Sequence, residues 1–318
     1  MKNLKLVCFL FLFISFSCKK KDTPTDEPQV NPVVPVSPSI YKPGATVYGK
    51  NNYVKMIVGD YNSPIILSSP HDGTIEPSSM PVRDNADAVV VRDLYVSDLT
   101  MQISNSIYEQ TGIRPHIIIN DISRSRMEPN RSLAEAYNKS DAANSSWNEY
   151  HDFIKVARQI VSENVGKGLY IDMHGHGHTK NRIEVGYITS KTNLNAEDAV
   201  LDTYATSSSI YGIAKTSTYT YSKLVRGDYA FGTLLANEGC PAVPSKQDPK
   251  PNADDYFNGG YCTLTYGSGN GGTISAIQLE TNGTNLRNTA TQRVASGKKM
   301  ANAIITYMKM HYNISLTK

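Results

Sequence analysis

Three histidines separated by single glycines, His174, His176 and His178, follow a short apolar run from Leu169 to Met173. The run reads as a buried strand. In open α/β sheets, ligands sit beyond the carboxyl ends of the strands. A histidine just past such an end, with glycines that let the backbone approach, is placed to hold a metal ion. Asp172 alternates with Met173 and is placed to support such a histidine from behind. A second stretch has the same construction. The apolar run Ile65 to Leu67 enters a turn punctuated by Pro70, Gly73 and Pro77, and this turn carries His71 and Glu76. Zinc takes nitrogen and carboxylate ligands, and its catalytic sites keep one position open. His71, Glu76 and His174 make a two-histidine, one-glutamate set of that kind. The other reading of the same residues is a solvent-exposed, histidine-rich loop.

Hydrolysis at such a metal needs a base. Glu280 ends a further apolar run and precedes the turn residues Thr281, Asn282 and Gly283. A carboxylate there can take a proton from water and pass it to a leaving amine; a solvated strand cap is the alternative. Arg131 offers the planar pair of donors that suits a carboxylate, against a surface ion pair with Asp121 or Glu135. His116 and His151 read as structural, and His311 as a cation at a helix C-terminus. The glycine-rich segment 267–272 lacks the Lys-Ser/Thr of a phosphate loop and reads as a flexible loop bordering the site. The serines lack a nucleophile-elbow context.

These residues must be carried by alternating elements. Tyr53 to Val58 and Ile65 to Leu67 are strand-like, joined by a predicted hairpin turn at residues 59–62. A helix is predicted over Arg92 to Gln110, a strand over Pro115 to Ile119, and two helices over Ser132 to Val165 with a break near Ala142 to Ser145. Strands follow at Ile183 to Ile188 and Thr273 to Leu279. A short helix is expected over Tyr229 to Ala236 and a long one over Asn288 to Tyr312. This alternation predicts an α/β three-layer sandwich with a mixed, largely parallel sheet.

The N-terminus bears on compartment. Lys2 and Lys5 precede an apolar run, Leu6 to Phe16, too short to span a membrane as a stable helix. It ends in Ser17 and Cys18, a pattern similar to a bacterial lipoprotein signal over residues 1–17 with Cys18 as the lipidated residue. An ordinary secretory signal is the alternative. Residues 18–42 are rich in Lys, Thr and Pro and cannot bury a core, so they read as an extended tether. Residues 43–318 suffice for one large domain. The 32 basic and 29 acidic residues give +3, and loss of the two signal lysines leaves +1. That balance offers no electrostatic argument for nucleic acid or an acidic membrane surface. The expected location is the bacterial cell envelope, with membrane contact only through the lipid anchor. In that oxidising setting a Cys240–Cys262 disulfide is plausible.

The ordered set of motifs around His71 to Pro77, Ile171 to His174 and Ala276 to Glu280 resembles the zinc carboxypeptidase-like hydrolases. It resembles most the branch of the N-formylglutamate amidohydrolases and poly-γ-glutamate hydrolases. Ser123 to Arg131, Arg226 to Thr233 and Gly259 to Gly267 resemble further segments of that branch. The resemblance implies a Zn2+ cofactor held by His71, Glu76 and His174. It implies Glu280 as the catalytic base and Arg126 near the scissile carbonyl, with Arg124 a close competitor. It implies Asn130 and Arg131 as a clamp on a substrate carboxylate, with Tyr261 in the substrate-binding Gly-Gly-Tyr segment. His176 and His178 are extra histidines that the pattern does not require.

The expected activity is hydrolysis of an amide bond next to a carboxylate-bearing residue. The substrate would be a small molecule or peptide with a free carboxylate, such as an N-acyl amino acid, a γ-glutamyl chain or a cell-wall peptide. The competing expectation is a non-catalytic surface lipoprotein that binds a peptide or carbohydrate. Only the enzyme needs Glu280 beside a metal.

Overall fold

The computed structural model describes residues 40–317. The expected signal, Cys18 and all but the end of the Pro-rich tether lie outside the described residues.

Eight strands form one mixed sheet: β1 (Thr46–Tyr48), β2 (Val54–Ile57), β3 (Ile65–Ser69), β4 (His116–Asn120), β5 (Gly168–His176), β6 (Ile183–Gly186), β7 (Ala242–Val243) and β8 (Ile274–Asn282). Their spatial order is β1-β2-β4-β3-β5-β8-β6-β7. The central strands β4, β3, β5 and β8 are mutually parallel. β2 runs antiparallel to β4, and β6 antiparallel to β8. The parallel strands are apolar on both faces, because helices cover both. One face packs Ile65, Leu67, Ile171, Met173 and Leu279 against helix α1 (Val96–Thr111) and the C-terminal helix Ala290–Tyr312. The other packs Ile66, Ile118, Tyr170 and Ala276 against helix α2 (Asp141–Asn164) and the short helix Tyr261–Tyr266. This is the expected three-layer sandwich.

Several local expectations change. β2 and β3 are not a hairpin, because β4 lies between them. The turn after β2 instead crosses the start of β4: Gly59 N donates to His116 Nδ1 at 3.0 Å, and Arg114 N donates to Asp60 at 2.7 Å. The segment 141–164 is one helix rather than two. Ser140 caps it by accepting from Ala143 N at 3.2 Å, and the breaker-like Asn144 is absorbed when its carbonyl accepts from Asn148 Nδ2 at 2.9 Å. The disulfide expectation is corrected as well. Cys240 and Cys262 are both free and buried, and they belong to cores on opposite faces of the sheet.

His151 holds the second layer together. Its Nε2 donates to Pro129 O at 3.0 Å, and its Nδ1 accepts from Tyr266 Oη at 2.8 Å. Burial pulls its pKa down to about 3, below the usual 6.5. The unfolded chain therefore binds a proton here that the folded chain refuses. The stabilisation is complete above the unfolded pKa and is lost as pH falls toward the folded one. Unfolding free energy between pH 6 and pH 4 is expected to fall by ~1.4 kcal/mol per pH unit from this residue. Denaturant titrations of His151→Asn should show a slope shallower by that amount; parallel pH dependences in variant and wild type would sink the assignment.

Candidate metal centre

The sheet brings its chemistry to one crevice. From β3 the chain moves to β4 on one side and later to β5 on the other, so strand order reverses between β3 and β5. Ligand sites form beyond the carboxyl ends at such a point. His71 lies two residues past β3, and His174 lies near the end of β5.

Three side chains meet there: His71, His174 and Asp93, all buried. His71 Nδ1 is 3.1 Å from His174 Nδ1 and 3.3 Å from Asp93 Oδ2, and His174 Nδ1 is 3.4 Å from the same Asp93 oxygen. Ligand atoms at ~2.0–2.1 Å from a tetrahedral zinc stand roughly 3.3 Å apart. The three atoms form a triangle of that size. The distal nitrogens are held by buried carboxylates: His71 Nε2 by Glu128, and His174 Nε2 by Asp172 Oδ2 at 2.9 Å. Donation of the Nε2 protons to these acids leaves both Nδ1 lone pairs facing inward, the arrangement that orients metal-binding imidazoles. The donor set therefore fits a divalent cation such as zinc.

The acids around the triangle favour positive charge inside it. Burial alone would raise the Asp93 carboxyl and lower the His174 imidazole. Instead His71 and His174 hold Asp93 well below the usual carboxylate range, while Asp172, Asp93 and Glu280 carry His174 well above the usual imidazole value. Burial would likewise raise Glu128, but His71 and Arg124 keep it ionised. Arg124 donates from Nε to Glu128 at 2.6 Å and lies 3.6 Å from Asp93, so it offsets the charge of the acids around the histidines.

Asp93 reaches the site because α1 starts late. The Asp72 carboxylate accepts from Tyr95 N at 3.0 Å and Ser97 N at 2.9 Å, and Tyr95 is in the left-handed region. The helix therefore begins at Val96, and Asp93 stays in the preceding loop, where Gly175 N donates to its Oδ2 at 3.1 Å. A Cβ at Gly175 would lie 2.6 Å from the Arg287 guanidinium, so a side chain there would have to displace that arginine.

Glu280 stands beside the ligands. β5 and β8 pair His174 directly with Glu280, so the two side chains share one sheet face. Burial pushes the Glu280 carboxyl up to about 8; His174 opposes the rise, and Asp93 and Glu184 add to it. A cation on His71, Asp93 and His174 would draw it back toward the ionised form.

The other expected site residues divide. Asn130 is buried, with Nδ2 3.3 Å from His174 Nε2 and Oδ1 accepting from Cys262 N at 2.8 Å. Gly260 allows this approach, since a Cβ there would meet the Asn130 amide at 2.2 Å. Arg131 is exposed, and among the described residues its guanidinium makes one hydrogen bond, to Asn130 O at 3.3 Å. Asp121 is taken by Lys55 and Glu135 by Ser132. Tyr261 packs its ring 5.6 Å from His151 and 6.0 Å from Trp147.

Two expected residues are not brought to the ligand triangle. Glu76 is half-exposed, and its carboxylate pairs with Arg126 Nη2 at 3.0 Å; Asp93 stands third beside the two histidines instead. Arg126, engaged with Glu76 and Met80 O, is likewise away from the metal, and Arg124 holds the place at the centre. The glycine-rich loop 267–272 precedes β8 and so lies at the opposite end of that strand from Glu280. Asp93 and Glu128 were missed by sequence reasoning. Asp93 had the signal of an acidic residue opening an apolar-periodic helix, which equally marks an N-terminal cap. Glu128 had none.

No protein-family model matches the sequence, and no curated protein matches it. Solved structures do. The fold is similar to N-formylglutamate amidohydrolase from Ralstonia eutropha JMP134, at 11% identity and a TM-score of 0.47, over 82% of this chain and 99% of that one. It is similar to a gene product of Agrobacterium tumefaciens at 12% identity and a TM-score of 0.42, over 81% and 95% of the two chains. It is similar to N-acetylmuramoyl-L-alanine amidase from Clostridium difficile 630 at 12% identity and a TM-score of 0.29, over 78% and 98%. The first of these carries the name of the group that the sequence motifs resemble.

Proposed function

We propose that this protein is a zinc-dependent amidohydrolase that cleaves an amide bond next to a carboxylate-bearing residue. The observation that carries the reading is the inward-facing triangle of His71 Nδ1, His174 Nδ1 and Asp93 Oδ2, with Glu280 on the neighbouring strand. When bound there, zinc would polarise a carbonyl and acidify water. Glu280 takes the proton of the attacking water, in a buried setting where a carboxylate can hold it until the amine leaves. Glu128 and Asp172 keep the two imidazoles in the ligating tautomer. Arg124 holds the surrounding acids in place, and Arg131, exposed and without an acidic partner among the described residues, pairs with the substrate carboxylate. As part of the same proposal, the chain acts in a bacterial cell envelope, tethered through Cys18.

The test is metal analysis of the purified protein together with hydrolysis of N-acyl amino acids and γ-glutamyl peptides. One zinc per chain and turnover on members of this set are expected. Zinc without hydrolysis of any of them favours a binding protein. Arg131→Ala adds a specificity arm. It should weaken substrates with a free carboxylate by ~10-fold or more, the scale of a lost charge-assisted pair, and spare their amide-capped counterparts. Equal losses on both would make Arg131 structural.

A further inference from the structure

A second cluster of titratable groups lies one strand beyond Glu280. The antiparallel β6–β8 pair sets Glu184 directly opposite Glu280. Both residues are therefore on the face that carries His174, and the row His174, Glu280, Glu184 crosses three adjacent strands. The Glu184 side chain is only 1% exposed, yet both of its oxygens are used: Oε1 lies 2.7 Å from His178 Nδ1, and Oε2 accepts from Phe257 N at 2.7 Å. His178 stacks on the Phe257 ring with centroids 4.6 Å apart, and its side chain keeps 21% of its surface in solvent.

The neighbouring His176 is a strut. Its Nε2 donates to Arg182 O at 2.8 Å, and its Nδ1 accepts from His178 N at 3.1 Å, so neither nitrogen is free. His178 differs. Its Nδ1–H is committed to Glu184, and among the described residues nothing pairs with its Nε2. The cluster of His176, His178 and Glu184 has the composition of a metal site, but its geometry separates it from the first. The 2.7 Å between His178 and Glu184 is a hydrogen-bond distance, shorter than the ~3.3 Å between ligands of a tetrahedral zinc. It is a carboxylate-oriented imidazole whose second nitrogen is unpaired among the described residues, held by the glutamate that pairs across the sheet with Glu280.

We infer that His178, oriented by Glu184, protonates the departing amine in amide hydrolysis at the centre of His71, Asp93 and His174. The inference rests on the hydrolytic reading above. The water oxygen bonds to the carbonyl carbon, and its proton passes to Glu280. The C–N bond then breaks, and its electron pair stays on nitrogen. The proton on His178 Nε2 moves to that nitrogen, which leaves as a neutral amine. His178 regains a proton from solvent, and Glu280 returns its own to solvent. Glu184 is the positioning residue: by accepting from Nδ1 it fixes the ring and leaves Nε2 as the nitrogen that exchanges the proton.

The test uses two substrates with one acyl group, γ-glutamyl-alanine and γ-glutamyl-p-nitroanilide. The alkyl amine needs a proton to leave; the nitroanilide departs without one. In His178→Gln, kcat on γ-glutamyl-alanine is expected to fall by ~10²-fold or more, with less than about threefold loss on the anilide and with zinc content as in the wild type. Glu184→Gln should show the same selectivity to a smaller degree. Equal loss on both substrates in an active protein overturns the inference alone, since a structural role would not distinguish them. Loss of one of two bound metal ions in His178→Gln overturns it in favour of a second metal site. If the wild type cleaves only N-acyl amino acids, the same alkyl-amide and nitroanilide pair is made with that acyl group; a wild-type protein that holds zinc and hydrolyses none of these substrates overturns the hydrolytic reading, and this inference with it.

Discussion

Asp93→Ala is expected to release the metal, whereas Glu76→Ala is expected to retain it. Asp93 Oδ2 lies within 3.4 Å of both ligating histidine nitrogens, and the loss of that oxygen opens a third of the donor set. Even residues that only orient metal ligands cost ~10–100-fold in affinity when removed, so a direct ligand should cost at least ~10²-fold. The damage should not stop at the metal. Asp93 also receives Gly175 N, and its loss leaves two buried histidines and the Arg124 guanidinium without their shared acid. Glu76, by contrast, meets Arg126 at an exposed surface where screening makes ion pairs weak. Metal titration of the two variants, with a competing chelator, separates the assignments. If Glu76→Ala loses the ion and Asp93→Ala keeps it, the ligand triangle is wrong.

Glu280→Gln should abolish turnover without emptying the site. Glutamine keeps the shape and can still meet the Gln278 amide that now donates to Glu280 at 3.0 Å, but it cannot accept a proton from water. Loss of a general base typically costs ~10²–10⁴-fold, and the loss should fall on kcat, because the proton moves only on the way to the transition state. Removal of a buried acid beside Asp93 and Glu184 also relieves like-charge repulsion. Metal affinity should therefore be unchanged or slightly altered, and the fold at least as stable. Stopped-flow turnover and metal content measured on the same preparation decide it. Normal turnover with metal bound would mean that another group accepts the proton.

The sequence by itself determined the sandwich and most of its strand-end chemistry. Short apolar runs closed by Pro and Gly placed His71, His174 and Glu280 at carboxyl ends of strands, and period-two alternation put Asp172 on the face of His174. Those features are local, and local physics reads them. The tertiary structure alone decided which acid completes the triangle. Glu76 is five residues from His71 and looked like its partner; Asp93 is 22 residues away, and a whole helix follows it. Its choice depends on Asp72 capturing the amides of Tyr95 and Ser97, which sets the helix start at Val96 and leaves Asp93 outside it. The same holds for Arg124 over Arg126, which diverge because Glu128 faces His71 and Glu76 faces solvent. It holds for the two cysteines as well, which the sheet keeps on opposite faces. In each case, which groups meet and which stay apart depends on elements distant in the chain. Spacing along the sequence carries no information about such distances until the sheet order, here reversed between β3 and β5, is set.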